Sequence, residues 1–133
     1  NIRLGSELSP FTSAAGRIFL AHLPQLRRRE LVEKYFSSPS TLPRYMGESV
    51  TKESFYRLLE DIKQENLCRF KEDFLPDINV VSAPVFSLDG SVNSVISLLG
   101  NSGDTPVSKS SVYVKAVQQA SSSATRKIAG YVS

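Results

Sequence analysis

Two apolar, β-branched runs, Val80-Val81-Ser82-Ala83-Pro84-Val85-Phe86 and Val92-Asn93-Ser94-Val95-Ile96-Ser97-Leu98, stand on either side of Leu88-Asp89-Gly90-Ser91. Such runs fit the pleated, half-buried surface of a sheet. Asp-Gly between two of them is a strong short-range hairpin signal. In the tightest form, a type I′ turn, both central residues take φ > 0, which Asp and Gly tolerate. The pattern predicts two antiparallel strands over about 78–99, forming a sheet core.

Around this hairpin, helical periodicity alternates with turn-rich breaks. Ile2 and Leu4 alternate with polar neighbours and predict the end of a strand and a loop in residues 1–9. Residues 11–22 predict a helix with Thr12 or Ser13 as N-cap and an apolar face of Ala15, Ile18, Phe19 and His22 or Leu23. Ala14, Ala15 and Gly16 keep its first turn small, so another backbone or a ligand can come close. Pro24 opens a second helix at its first position and Phe36 ends it, with Leu26, Leu31, Val32, Tyr35 and Phe36 as the buried stripe. The basic run Arg27-Arg28-Arg29 reads as a solvated helix face. Residues 37–43 are rich in Ser and Pro and predict a loop, and 44–50 an irregular segment.

Thr51 caps a third helix whose core face is Phe55, Leu58, Leu59 and Ile62, spaced i, i+3, i+4 and i+7, with Asn66 as its stop. Residues 67–71 predict a strand, and Asp73 to Asp77 a loop leading into the hairpin. A second loop covers 100–106. A long helix over about 109–131 follows, with Tyr113, Val117, Ala120, Ala124 and Ile128 at helical spacing. The order of strand, helices, strands and terminal helix predicts an α+β domain with an antiparallel sheet flanked by helices.

The 133 residues are the length of one domain, and a hydrophobic share of 41% supports one core. No run of about eighteen apolar residues occurs, so no transmembrane helix and no membrane partner are expected. The N-terminus lacks the apolar stretch of a signal peptide. It also begins abruptly without Met, which predicts a piece of a longer protein. A net charge of +3 is too balanced to argue for nucleic-acid binding by this segment itself. Cys68, the single cysteine, excludes an internal disulfide and fits the reducing cytoplasm. Enzymatic chemistry needs a constellation of groups, and the residues offer none. His22 is the single histidine, and phosphate-cradling loops, metal-ligand spacing and nucleophile elbows are all missing. No catalytic residue, metal or cofactor is therefore assigned.

Several short pieces, in order, resemble the effector-binding domain of IclR-type bacterial transcription regulators. They are Gly5-Ser6 with Leu8-Ser9, Ala14-Ala15-Gly16-Arg17 with Leu20-Ala21, Thr51, Glu72-Asp73, Ala83-Pro84-Val85-Phe86 and Ser97-Leu98-Leu99-Gly100. The spacings fit from Gly5 to about Tyr131. The resemblance implies a GAF-like or profilin-like α+β fold. It also implies that 1–133 is most of an effector domain, with the first strands and a winged helix-turn-helix domain lying before Asn1.

In that family a small carboxylate ligand sits between the start of the Ala-Gly helix and the central strands. By resemblance, Ala15 and Gly16 offer backbone donors and Ser97 a hydroxyl, with Phe70, Ile78, Val80 and Leu99 lining the pocket. This chain departs from the family at Phe70, Val80, Leu99 and Asp77, where acidic, polar or small residues are usual. The first three make the wall more apolar, which points to an aromatic or fatty-acid-like acid, or to loss of sensing. Each residue also has a plainer use: core packing for the apolar ones, a strand-to-strand bond for Ser97, tight helix packing for Gly16.

The implied function is a ligand-sensing domain that alters the DNA affinity or oligomeric state of a full-length cytoplasmic regulator. DNA would be reached only through the absent N-terminal domain. The family's habit implies a homodimer or homotetramer. The alternative is a GAF-like oligomerisation or sensor module with no small ligand.

Overall fold

The computed structural model describes residues 9–38 and 42–132. The strand expected at Ile2 and Leu4 lies outside them. The elements run α1 (Ala14–Ala21), α2 (Gln25–Ser37), β1 (Arg44–Tyr45), β2 (Glu48–Ser49), α3 (Lys52–Glu65), β3 (Cys68–Lys71), β4 (Ile78–Phe86), β5 (Val92–Asn101) and α4 (Val112–Val132). Strands β3, β4 and β5 form an antiparallel sheet in that order, with α1 and α3 on one face and α4 on the other. The α+β class expected from the sequence is observed.

The local causes are those that the residues announce. Ser13 Oγ accepts the Gly16 N–H at 3.0 Å and starts α1, and Thr51 Oγ1 accepts the Ser54 N–H at 3.2 Å and starts α3. Asn66 closes α3 in the left-handed region at φ 52° and donates its N–H to the Ile62 carbonyl. Pro84 lies inside β4 beyond Ser82, where the pairing with β3 ends. Two residues on, the Phe86 N–H points away from β5 and donates to Thr125 Oγ1 on α4 at 3.0 Å. The donor that proline lacks would face this same unpaired edge, so the ladder loses nothing.

The hairpin forms where expected, but not with the expected turn. Only Gly90 of the central pair has positive φ, at 86°. The Gly90 N–H donates to the Ser87 carbonyl, and the Ser87 N–H to the Ser91 carbonyl at 2.9 Å. The connection is thus a type I turn followed by a left-handed glycine, the three-residue alternative to I′. Asp89 helps to choose it by accepting from both the Ser91 N–H and the Ser91 hydroxyl.

Three packing expectations are corrected. The buried stripe of α1 is Ala14, Arg17, Ile18 and Ala21, with Leu20, whereas Phe19 is 42% exposed and Ala15 only half-buried. In α2, Leu26 is 78% exposed and the middle arginine of the basic run is buried instead. Arg28 donates to the Ala21 carbonyl at 2.9 Å and to Glu60 Oε1 at 2.8 Å, so a cation completes the C-terminal end of α1. Residues 44–50 are a small hairpin, because the Asp73 carboxylate accepts the N–H groups of Met46 and Gly47 at its turn.

Candidate functional site

Cross-strand partners share a face of a sheet. One row of the register is Phe70, Val80 and Leu99, and the next is Cys68, Ser82 and Ser97. Ile78, two residues before Val80, points the same way. This is the face that α1 and α3 cover. The structure therefore places Phe70, Ile78, Val80, Ser97 and Leu99 on one face of the sheet. Phe70 and Val80 are buried there, while Ser97 and Leu99, on β5, are exposed, Leu99 by 58%. Ser97 Oγ is 2.7 Å from Ser82 Oγ, so the plain strand-to-strand bond is present, with lone-pair capacity left over.

At the start of α1 the picture is more restrictive. A Cβ on residue 16 would sit 2.6 Å from Ser13 Oγ and 2.7 Å from both Pro10 Cα and the Ser9 carbonyl oxygen. Gly16 is thus required by the chain's own close packing, and its N–H is already taken by Ser13. Of the Ala15–Gly16 pair, Gly16 is not a free backbone donor. The implied glycine position at Asp77 has a physical counterpart. Asp77 holds φ 63°, a region in which Asp is tolerated, and its N–H donates to Glu72 Oε1.

The residue that sequence reasoning missed is Arg17. It is 0% exposed and lies in the core beneath α1. Its Nε donates to the Phe11 carbonyl at 2.9 Å. Its guanidinium carbon lies 4.6 Å from the centre of the Phe70 ring and 5.4 Å from that of Phe55. Nη1 and Nη2 are buried with no hydrogen-bond partner among the described residues. Burial pushes the Arg17 pKa down, while the fields of Cys68, Asp73, Tyr35 and Tyr45 push it up.

The energetics of Arg17 are informative. Taking a cation out of water costs several kcal/mol even after relaxation, about 20 kcal/mol in the ideal limit. A desolvated cation–π contact returns about 2 kcal/mol, and a hydrogen bond to a charged group about 1.5–3 kcal/mol. Those contacts let the helix carry the charge. They leave two nitrogens without an acceptor, at about 1–3 kcal/mol for each unsatisfied group. The signal was present in the sequence, since Ala14, Arg17, Ile18 and Ala21 keep i, i+3, i+4, i+7 spacing.

The nearby carboxylate of Asp73 is already committed. It is buried and accepts the N–H groups of Met46 at 2.8 Å, Gly47 at 2.7 Å and Lys71 at 2.9 Å. Asp73 also lines a groove of about 600 Å³ with Arg44, Lys71, Glu72 and Phe74. A second groove of similar volume runs along α4, between Lys115 and Arg126. Cys68 is wholly buried, and burial raises its thiol to about 12, which keeps it protonated and unreactive. His22 bridges the Ile18 carbonyl and Asn66 Oδ1, a structural use. No group of His, Cys, Asp and Glu among the described residues could hold a metal ion. No helix among them is long and apolar enough to cross a membrane.

This arrangement, a three-stranded antiparallel sheet between α1/α3 and α4, is shared with solved transcription regulators. HmgR of Pseudomonas aeruginosa superposes with a TM-score of 0.71 at 21% identity, over 96% of this chain and 48% of its own. The BlcR repressor of Agobacterium tumefaciens gives 0.71 at 15% identity, over 96% and 50%. The inducer-binding domain of PobR from Acinetobacter, solved as a double mutant with 3-hydroxybenzoic acid, gives 0.74 at 16% identity, over 92% and 69%. At these identities the likeness is one of fold. The chain spans about half the length of the HmgR and BlcR chains. No curated protein matches the chain. The family model of the C-terminal domain of the bacterial transcriptional regulator IclR matches residues 1–126, and the chain belongs to that family.

Proposed function

We propose that this chain is the ligand-sensing part of an IclR-family transcription regulator. It binds a small carboxylate metabolite of aromatic or otherwise apolar character, and so alters the DNA affinity or oligomeric state of the full-length protein. The observation that carries this reading is the apolar row Phe70–Val80–Leu99 beside Ile78 on the α1/α3 face of the sheet, with the Ser82–Ser97 hydroxyls as its neighbouring polar row. Phe70, Ile78, Val80 and Leu99 are the wall, Ser97 an orienting hydroxyl, and Ala15 the helix-end backbone contact; Gly16 keeps that turn close-packed. The complex of the similarly folded PobR domain with a hydroxybenzoic acid supports an acid of this class.

DNA is engaged through a part of the whole protein other than these residues, which the half-length match to the regulators supports. The domain works in the cytoplasm, away from membranes, and performs no turnover. A thermal-shift screen of keto acids, aromatic acids and fatty acids tests the reading. Stabilisation grows as RT ln(1 + [L]/Kd), about 2.7 kcal/mol at a hundredfold excess over Kd. A dose-dependent rise with an apolar acid is expected, and a flat response from folded protein contradicts it.

One observation favours a second reading, a ligand-free oligomerisation module. Strand β5 pairs only with β4 among the described residues, and its Leu99 is exposed. An edge of this kind invites pairing with another chain. Light scattering distinguishes the cases. A homodimer or homotetramer whose population shifts with the acid supports sensing, and an oligomer indifferent to every acid supports the module.

A further inference from the structure

We infer that Arg17 is the charge partner of the effector's carboxylate, held inside the core with Nη1 and Nη2 buried and unpaired. This inference rests on the ligand-sensing reading above and adds to it a group that the helix-end and serine contacts do not include. Buried polar groups are hydrogen-bonded, and buried charges are paired or bound to ions. Among the described residues the only buried side-chain atoms left without a partner are Asn79 Oδ1 and the two Arg17 Nη atoms. Asn79 is neutral and already donates through Nδ2 to the Thr105 carbonyl. Arg17 carries a full charge and is 0% exposed.

The way Arg17 is held selects its ligand. Nε is spent on the Phe11 carbonyl, so the side edge of the guanidinium is blocked. The end edge is free, and Nη1 and Nη2 present parallel N–H groups that match the two oxygens of one carboxylate. Phe55 and Phe70 lie against the guanidinium, so a ligand paired to that edge meets aromatic walls beside its charged end. An aryl carboxylate satisfies both demands, because its flat apolar body packs on rings while its charge meets the arginine.

Local carboxylates do not substitute. Asp73 lies within electrostatic reach of Arg17, yet its oxygens accept three backbone N–H groups. Releasing them would free the β1–β2 turn, whose Tyr45 also lies within electrostatic reach of Arg17. That hairpin is the wall near the charge, and its displacement, at the expense of the Asp73 contacts, gives an acid access to a group now sealed from solvent.

The experiment uses the chain as it stands, with benzoate, phenylacetate, octanoate and pyruvate as probes and benzamide as the uncharged match for benzoate. Affinities are read from thermal shift and from calorimetry. An aryl acid should bind the wild type, benzamide should not, and Arg17→Met should weaken the acid at least tenfold. Arg17→Met should also melt no lower than the wild type without ligand, because it removes an unpaired buried charge. A purely structural arginine would do the reverse. Arg17→Lys, which keeps the charge but not the paired donors, should fall between the two. If Arg17→Met is folded and binds the acid with wild-type affinity, the carboxylate is held elsewhere and this inference fails while the sensing reading stands. If no acid binds folded wild type, both fail.

Discussion

The two faces of the central sheet are built to different standards. On the α4 face, Leu67, Val81, Ala83, Val107, Val114 and Val117 form an aliphatic cluster, and the one unpaired buried side-chain atom among the described residues is neutral, Asn79 Oδ1. On the α1/α3 face the core is larger and aromatic. Phe11 stacks on Tyr35 at 4.0 Å and tilts against Phe55 at 5.6 Å, and the layer encloses a cation with two unpaired nitrogens. A face made only for stability would place a hydrocarbon where Arg17 sits, since an unpaired buried charge is the costliest thing a core can hold. The difference teaches that both faces fix the fold, and that one of them also carries an unpaired charge, which the proposed ligand would relieve.

That comparison can be broken by substitutions on either side. Leu59→Ala, on the α1/α3 face, should cost about 2–5 kcal/mol in urea unfolding and weaken acid binding as well. Val114→Ala, on the α4 face, should lower stability and leave acid affinity unchanged. Asp73→Ala comes next, at about 2–3 kcal/mol, because three backbone N–H groups lose their acceptor. Hydrogen exchange should then quicken at Met46 and Gly47 first. Gly16→Ala should cost about 1–3 kcal/mol, since its Cβ would press on backbone at Pro10 and Ser9 that cannot swing aside. Arg17→Met runs the other way, with a gain of about 1 kcal/mol or more in ligand-free denaturation.

The smallest effect is a null one with a clear reading. The Cys68 thiol, raised to about 12 by burial, should resist a thiol reagent at pH 8 in native protein and react on unfolding. Rapid native labelling would show that the layer beneath α1 opens without ligand.

The strands and the caps of α1 and α3 were legible because their causes are local: alternation, Asp-Gly, Ser13 and Thr51. What escaped depends on partners distant in sequence. The β1–β2 hairpin is made by Asp73, 26 and 27 residues beyond the N–H groups it accepts. Arg28 is buried by Ala21 and Glu60, and Leu26 is correspondingly turned outward. Arg17 kept apolar spacing but carried a charge, and the apolar face of α1 was assigned to Ala15, Ile18 and Phe19 instead. The apolar members of the candidate site came from the family resemblance, and the register places them on one face of the sheet. Their cationic neighbour is set by contacts with Phe11, Phe55 and Phe70 that only the folded chain brings together.

The most direct test of the account is an amide NMR titration of the isotopically labelled chain with the acid that stabilises it best. The account predicts that the perturbed amides fall in α1, α3, the β1–β2 hairpin and the strands β3, β4 and β5, around Arg17, Phe70, Val80 and Ser97, while α4 stays still. Perturbations confined to the groove between Lys115 and Arg126 would contradict it, and would move the site to the exposed side of α4.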